Sequence, residues 1–215
     1  MSKKRIEARL DDVFISIRNG ITIKQDNLES VGLPITRIET IATGEVNRDK
    51  MGYAGIVDST KYKESILDTG DILMSHINSA KHLGKTAIYE KLDNEEIIHG
   101  MNLLRLKVDQ KKINSNYANY YFNSLVFKSQ ILNITKNSVN QSSFTVTGLK
   151  NLTIPLLPME AQVCIAKILD KINQIIALHK EQLKKLDELI KSLFLGESSL
   201  IENSFIILNK IGVMR

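Results

Sequence analysis

The chain has 215 residues, 43% hydrophobic and 25% charged, the balance of a globular protein able to bury a core; this argues against disorder, collagen-like repeats and a membrane protein. Its 29 Lys and Arg against 24 Asp and Glu leave a net charge of +5 and a pI near 9.1, which permits a polyanionic partner without demanding one. The single cysteine, Cys164, excludes an internal disulfide framework and a Cys-pair zinc site, and its Ile-rich surroundings predict a core position.

The start, Met1-Ser2-Lys3-Lys4-Arg5-Ile6-Glu7, lacks the apolar stretch of a signal peptide, and no apolar run approaches the roughly 18 residues of a spanning helix. A cytoplasmic protein with no membrane partner is expected. Up to Pro155 the chain reads as short apolar runs, among them Val13 to Ile17, Ile66 to Met74, Thr86 to Tyr89 and Leu103 to Val108. Asn19-Gly20, Gly32-Leu33-Pro34, Asp68-Thr69-Gly70-Asp71 and Leu83-Gly84-Lys85 separate them with turn chemistry, so residues 1–157 predict a mixed, strand-rich domain. Asn114 to Asn133 places Tyr117, Tyr120, Tyr121, Leu125, Phe127, Ile131 and Leu132 at near-helical spacing, which predicts one helix with Asn114 or Ser115 as N-cap.

From Pro158 to Phe194 there is no glycine and no further proline. This predicts a single helix about 55 Å long at 1.5 Å per residue. Pro158 suits its first turn, Glu160 complements the positive end of its dipole, and Gly196 can supply a left-handed stop, leaving residues 195–215 as a tail. The apolar run Phe205-Ile206-Ile207-Leu208 in that tail could pack on the helix bundle, dock a partner or, as a truncated remnant, do neither. Heptads start at Ile165: Ile165, Ile172, His179, Leu186 and Leu193 at a, Ile168, Ile175, Gln182 and Leu189 at d, Leu169, Ile176, Leu183 and Ile190 at e. So wide a seam on so long a helix calls for a partner outside the domain, most economically a second copy; the alternative is a helix folded back on its own domain. The polar layer at His179 and Gln182 penalises slipped registers but leaves parallel and antiparallel pairing equally open.

Several stretches together resemble the DNA-specificity (S) subunit of type I restriction-modification systems. Gly70-Asp71-Ile72-Leu73-Met74-Ser75-His76-Ile77-Asn78, followed by the Gly84-Lys85 turn, is similar to the family's Gly-Asp-apolar-apolar strand. Ser142-Ser143-Phe144 with Leu149 to Pro158 is similar to the close of its target-recognition domain. Met159-Glu160-Ala161-Gln162-Val163-Cys164-Ile165-Ala166 resembles the opening of its spacer helix, with Ala161 where the family has Glu and Glu160 one position earlier. The resemblance covers nearly all of residues 1–194. It implies an α+β fold: a mixed, strand-rich target-recognition domain followed by one long α-helix that forms an antiparallel coiled coil with a partner copy. Family subunits usually carry two such domains and two helices; this chain has one of each and looks like a half-subunit, which a two-fold homodimer would complete. The implied partners are double-stranded DNA, methyltransferase (M) subunits and, through them, restriction (R) subunits. S-adenosylmethionine is expected on the methyltransferase, and no cofactor in this chain.

Beside that resemblance, the chain has no Gly-x-Gly-x-x-Gly loop, no Asn-Pro-Pro-aromatic sequence and no P-loop, so catalysis is left to partners. A metal hydrolase would have to be built from His76, His82 and His99 with Asp71 and Glu96, but their spacing fits no strong metal motif; these histidines read instead as solvated loop residues or DNA-facing donors. For DNA, Thr36 and Arg37 are candidates: the fork of Arg37 matches guanine O6 and N7, against a plain ion pair with Glu39. Ser75, His76, Asn78, Lys81, His82 and Lys85 lie on a loop dense in small polar and basic residues, either groove-facing or an ordinary solvated turn. Asn140 and Gln141 suit adenine N6 and N7, Ser143 suits phosphate, and Asn102 is a weaker candidate. The function alternative to a specificity subunit is a free-standing dimeric interaction or regulatory protein without a methyltransferase.

Overall fold

The computed structural model describes residues 6–23, 31–79, 81–138 and 141–210, with side chains up to residue 194. It divides into two units, Met1–Ala166 and Lys167–Arg215. The first unit runs β1 (Glu7–Arg9), α1 (Leu10–Val13) and β2 (Phe14–Asn19), then three 3-10 turns at Ile38–Ile41, Arg48–Lys50 and Thr60–Ser65. Next come β3 (Ile72–Ser75), β4 (Ile77–Asn78), β5 (Thr86–Ile88), β6 (Leu103–Val108), α2 (Ser115–Phe122) and α3 (Leu125–Ile134). The unit closes with β7 (Lys136–Asn137), β8 (Ser142–Ser143), α4 (Val146–Lys150), β9 (Thr153–Pro155) and the opening of α5 (Met159–Lys210). This is the mixed α+β architecture the sequence predicted, though Ile66 to Asp71 forms a single bridge and a turn rather than the front of a strand.

A four-stranded antiparallel sheet in the order β2-β6-β3-β5 forms the frame. Side chains alternate across a strand, and here both faces are covered. Ile72 and Met74 of β3 with Leu104 and Leu106 of β6 join one core, with Phe122, Phe127 and Ile131 from the helices. Leu73 and Leu103 point the other way, into a second core with Ile41, Leu67, Tyr89 and Ile97. That explains why Ile72-Leu73-Met74 of β3 reads as an apolar run rather than as an alternation. Each such side chain contributes about 1.5–3 kcal/mol by leaving water.

Asp71 and Arg105 also lie on the second face, and both are buried. Their ion pair is 2.5 Å long. Asp71 accepts a further 2.8 Å bond from the Asp68 N–H, and Arg105 reaches Asp68 at 3.0 Å and the Glu64 carbonyl at 3.1 Å. Burial pushes the Asp71 carboxyl up, against the pull of that N–H and the guanidinium. The Gly70-Asp71 pair is therefore a structural device: Gly70 turns at φ +88°, and Asp71 neutralises an arginine inside the sheet.

The predicted helix over 114–133 is two helices. Asn114 caps α2 by accepting from the Tyr117 N–H at 3.0 Å, but Ser124 interrupts the run and caps α3, accepting from the Phe127 N–H at 3.3 Å. At the start of α5, Gln162 is fully buried and spends its whole amide on backbone. Its Oε1 accepts from the Asn114 N–H (2.9 Å), and its Nε2 donates to Lys112 and Leu157 carbonyls at 3.0 and 2.8 Å. Cys164, expected in the core, is exposed, because the inward face of this turn is taken by Gln162 and Ala166. Ile165, expected in the dimer seam, packs instead against the first unit's core.

In the second unit α5 continues to Lys210. Gly196 does not stop it: residues 197–210 hold no proline or further glycine, and one helical glycine costs only about 1 kcal/mol. The side chains of Phe205 to Leu208 lie outside the described residues. Ile172, Ile175, Ile176, Leu183, Leu186, Leu189, Ile190 and Leu193 are 43–62% exposed, as is Ile168, while Leu169 is half-buried. His179 and Gln182 bond each other along the helix at 3.1 Å. Among the described residues no helix is long and apolar enough to cross a membrane.

Candidate nucleic-acid interface

The turn Ile38–Ile41 is fixed from beneath by Thr40, which is fully buried. The Thr40 hydroxyl accepts from the Arg37 N–H (2.8 Å) and donates to the Lys50 carbonyl (3.1 Å), and the Asn47 N–H donates to the Thr40 carbonyl at 2.8 Å. The following segment is pinned by Arg48, whose guanidinium holds Glu95 at 2.9 and 2.5 Å. Glu95 also accepts from the Tyr89 hydroxyl (3.0 Å) and the Leu92 N–H (2.8 Å). Its hydrogen bond from Arg48 is the main reason its carboxyl sits at about 2. Upstream, the Thr36 N–H donates to the Ile98 carbonyl (3.0 Å) and the Gly100 N–H to the Thr36 hydroxyl (2.9 Å). The approach is so close that a Cβ on Gly100 would lie 2.3 Å from the Thr36 carbonyl oxygen. These bonds bring Arg37 beside Asn102.

Two cavities adjoin this turn. One, of about 400 Å³, is lined by Ile21, Ile23, Arg37, Ile38, Glu39, Met101 and Asn102. The other, of about 230 Å³, is lined by Ile38, Glu39, Ile41, Ala42, Ser75, Asn78, His82 and Lys85. Six residues singled out from sequence thus gather on the two sides of one turn. In the second cavity the Asn78 amide donates to the Ser75 hydroxyl at 3.3 Å, and the Lys85 ammonium is held on the Ala42 carbonyl at 2.7 Å. Such a surface, of a guanidinium, an ammonium, amides and an imidazole on a braced backbone, offers both phosphate contacts and base-edge donors and acceptors.

Other predicted residues stand elsewhere. Thr36 is buried and spent on Gly100, so it positions Arg37 rather than facing a ligand. His76 and His99 are buried, neither solvated nor groove-facing. His76 packs edge-on to Phe144 with its Nδ1 unpartnered, and burial pushes its pKa down. His99 donates from Nε2 to the Leu103 carbonyl at 2.9 Å, and burial lowers its pKa to about 3. Ser75 is buried as well, although it lines the second cavity. Lys81 is exposed and lines neither cavity. Ser143 pairs with Ile77 in the β4-β8-β7 sheet, which brings its strand to Asn78, and Gln141 is exposed beside it. Asn140 lies outside the described residues. Asp71, weighed as a metal ligand, is taken up by Arg105, and no group of three His, Cys, Asp or Glu among the described residues could hold a metal ion. Sequence reasoning passed over Glu39, which lines both cavities; it entered only as a counter-charge for Arg37.

This fold, a braced polar surface on a two-faced sheet followed by a long apolar-striped helix, matches a known class over most of its length. The chain belongs to the type I restriction modification DNA specificity domain family, matched over residues 4–188. It is 42% identical over 184 residues to the Methanocaldococcus jannaschii protein assigned as the MjaX type I restriction enzyme specificity subunit, covering 86% of this chain and 43% of that protein. The MjaVIII specificity subunit of the same organism is 23% identical over 194 residues, covering 88% of this chain and 45% of that one. This chain therefore spans less than half the length of these curated relatives. Among solved structures, a chain from a type I R-M system studied for complex assembly and conformational transition superposes with a TM-score of 0.65 at 22% identity, over 87% of this chain and 43% of its own. The HsdS subunit from Thermoanaerobacter tengcongensis gives 0.56 at 22% identity, over 80% and 38%. Both show the same fold.

Proposed function

We propose that this chain is the sequence-reading, non-catalytic component of a type I restriction-modification complex, recognising one half of a bipartite DNA target. The observation that carries the reading is the gathering of Arg37, Asn102, Ser75, Asn78, His82 and Lys85 around the Ile38–Ile41 turn. The net charge of +5 supports it. In this reading Lys85 neutralises phosphate and Arg37 reads a guanine edge, so the two separate in experiment. Lys85→Ala should weaken binding to all duplexes alike and lower the salt slope of log K by about 1. Arg37→Ala should relax preference at one base, worth about 1–3 kcal/mol. Fluorescence anisotropy against duplexes at several salt concentrations tests both; equal loss in the two variants would remove the assignment.

The uncovered apolar stripe of α5 supports pairing with a second copy, antiparallel as the resemblance implies. A two-fold pair would read an inverted repeat with an unread spacer. Methyltransferase subunits carrying S-adenosylmethionine, and restriction subunits through them, complete the proposed assembly, which works in the cytoplasm where the DNA is. Co-purification with the methyltransferase is the expected result. A dimer that binds neither duplex nor methyltransferase would instead be a free-standing interaction protein.

A further inference from the structure

We propose that Glu39 is a specificity-determining residue whose carboxylate accepts a hydrogen bond from the exocyclic amino group of a cytosine; this rests on the DNA-reading function above. Glu39 is exposed at the centre of the braced turn and lines both cavities, with Arg37 and Asn102 on one side and His82 and Lys85 on the other. Of the neighbouring carboxylates, Glu95 is held by Arg48, and Asp71 and Asp68 by Arg105. Among the described residues no ion pair takes up that of Glu39.

A carboxylate on a cationic, DNA-facing surface repels every phosphate it approaches, so it weakens binding to all duplexes alike. It is repaid only where a base edge presents an N–H. In the major groove those donors are cytosine N4 and adenine N6, but adenine places its N7 acceptor beside the amino group, where it repels a carboxylate. Cytosine has no such acceptor. Glu39 therefore lowers binding to random sequence and raises it where a cytosine is correctly placed, and the guanidinium of Arg37 two residues earlier suits the guanine acceptors of a C·G pair.

The test is selection of the full chain on a randomised duplex library, with sequencing, for the wild type, Glu39→Ala and Glu39→Gln. Because Glu39 is exposed, both variants should keep the wild-type circular dichroism spectrum and thermal midpoint. The wild type should enrich a sequence with cytosine at one position. Glu39→Ala should lose preference at that position alone, by roughly 5- to 150-fold, and bind random duplex about two- to fivefold more tightly at low salt. Glu39→Gln, which adds a donor for N7, should shift the position towards adenine. An unchanged pattern in Glu39→Ala, or loss at a base other than cytosine, overturns the proposal while leaving the DNA-reading function standing. No enriched sequence with the wild type overturns both.

Discussion

Arg105 is a charged side chain buried within the sheet. It is a permanent charge, 1% exposed, kept tolerable by Asp71 just ahead of β3. Asp71→Asn leaves that charge without its buried counter-ion and should cost about 3–5 kcal/mol, whereas Asp68→Asn, at the exposed end of the network, should cost less than about 1 kcal/mol; urea midpoints decide. The sequence displayed Gly70-Asp71 as a motif, but not its reason, because the partner sits on another strand and nothing local announces a buried arginine. The histidines misled for the same cause: solvent or core is decided by tertiary packing. Their burial predicts an acid response. His99 titrates at about 3 when folded against 6.5 as a free side chain, so the unfolded chain binds the extra proton between those values. Stability is whole above pH 6.5 and falls as pH drops, by up to about 1.4 kcal/mol per unit for this residue. His76 has the same sign. Glu95, depressed to about 2 from 4.5, adds a second loss only below pH 4.5. Urea unfolding at pH 7, 6 and 5 should show the first limb, and His99→Asn should flatten it.

At the scale of elements, periodicity was a good guide to where apolar faces lie and a poor one to where helices end. Tyr117, Phe127 and Ile131 do face the core, yet the backbone breaks between them because Ser124 prefers to cap. Gly196 shows the converse error, a stop signal overridden by the helical residues beyond it. Gln162 is the instructive case. Its place in a helix-opening motif was legible, but its role was not, since three backbone partners come from two other segments. Gln162→Leu strands an N–H and two carbonyls in a buried corner and should cost about 2–4 kcal/mol. Faster amide exchange at Asn114 and in the first turn of α5 would mark the loss, and unaltered exchange would refute it. Ser75, Asn78, His82 and Lys85 were found because small polar and basic side chains cluster on one loop, and Arg37 because its fork matches a guanine edge; Glu39 was passed over because a carboxylate is not what one seeks when looking for DNA contacts.

At the scale of the whole molecule, the stripe from Ile172 to Leu193 is too long and apolar to be indifferent to association. Light scattering on the full chain should give twice 24.3 kDa through a dilution series. The double variant Ile175→Asp, Leu186→Asp should give 24.3 kDa with the sheet's unfolding transition intact, because both positions are exposed on the second unit; a wild-type monomer at micromolar concentration would reassign the stripe to a different partner. The Ile38–Ile41 turn has a consequence of another kind. It belongs to no strand ladder, and its anchor, Thr40, points inward while Arg37 and Glu39 line the cavities. The proposed base readers can therefore be changed without disturbing the fold that carries them. A library randomised at positions 37, 39 and 102 should yield mostly soluble, cooperatively folding proteins, from which new target preferences could be drawn.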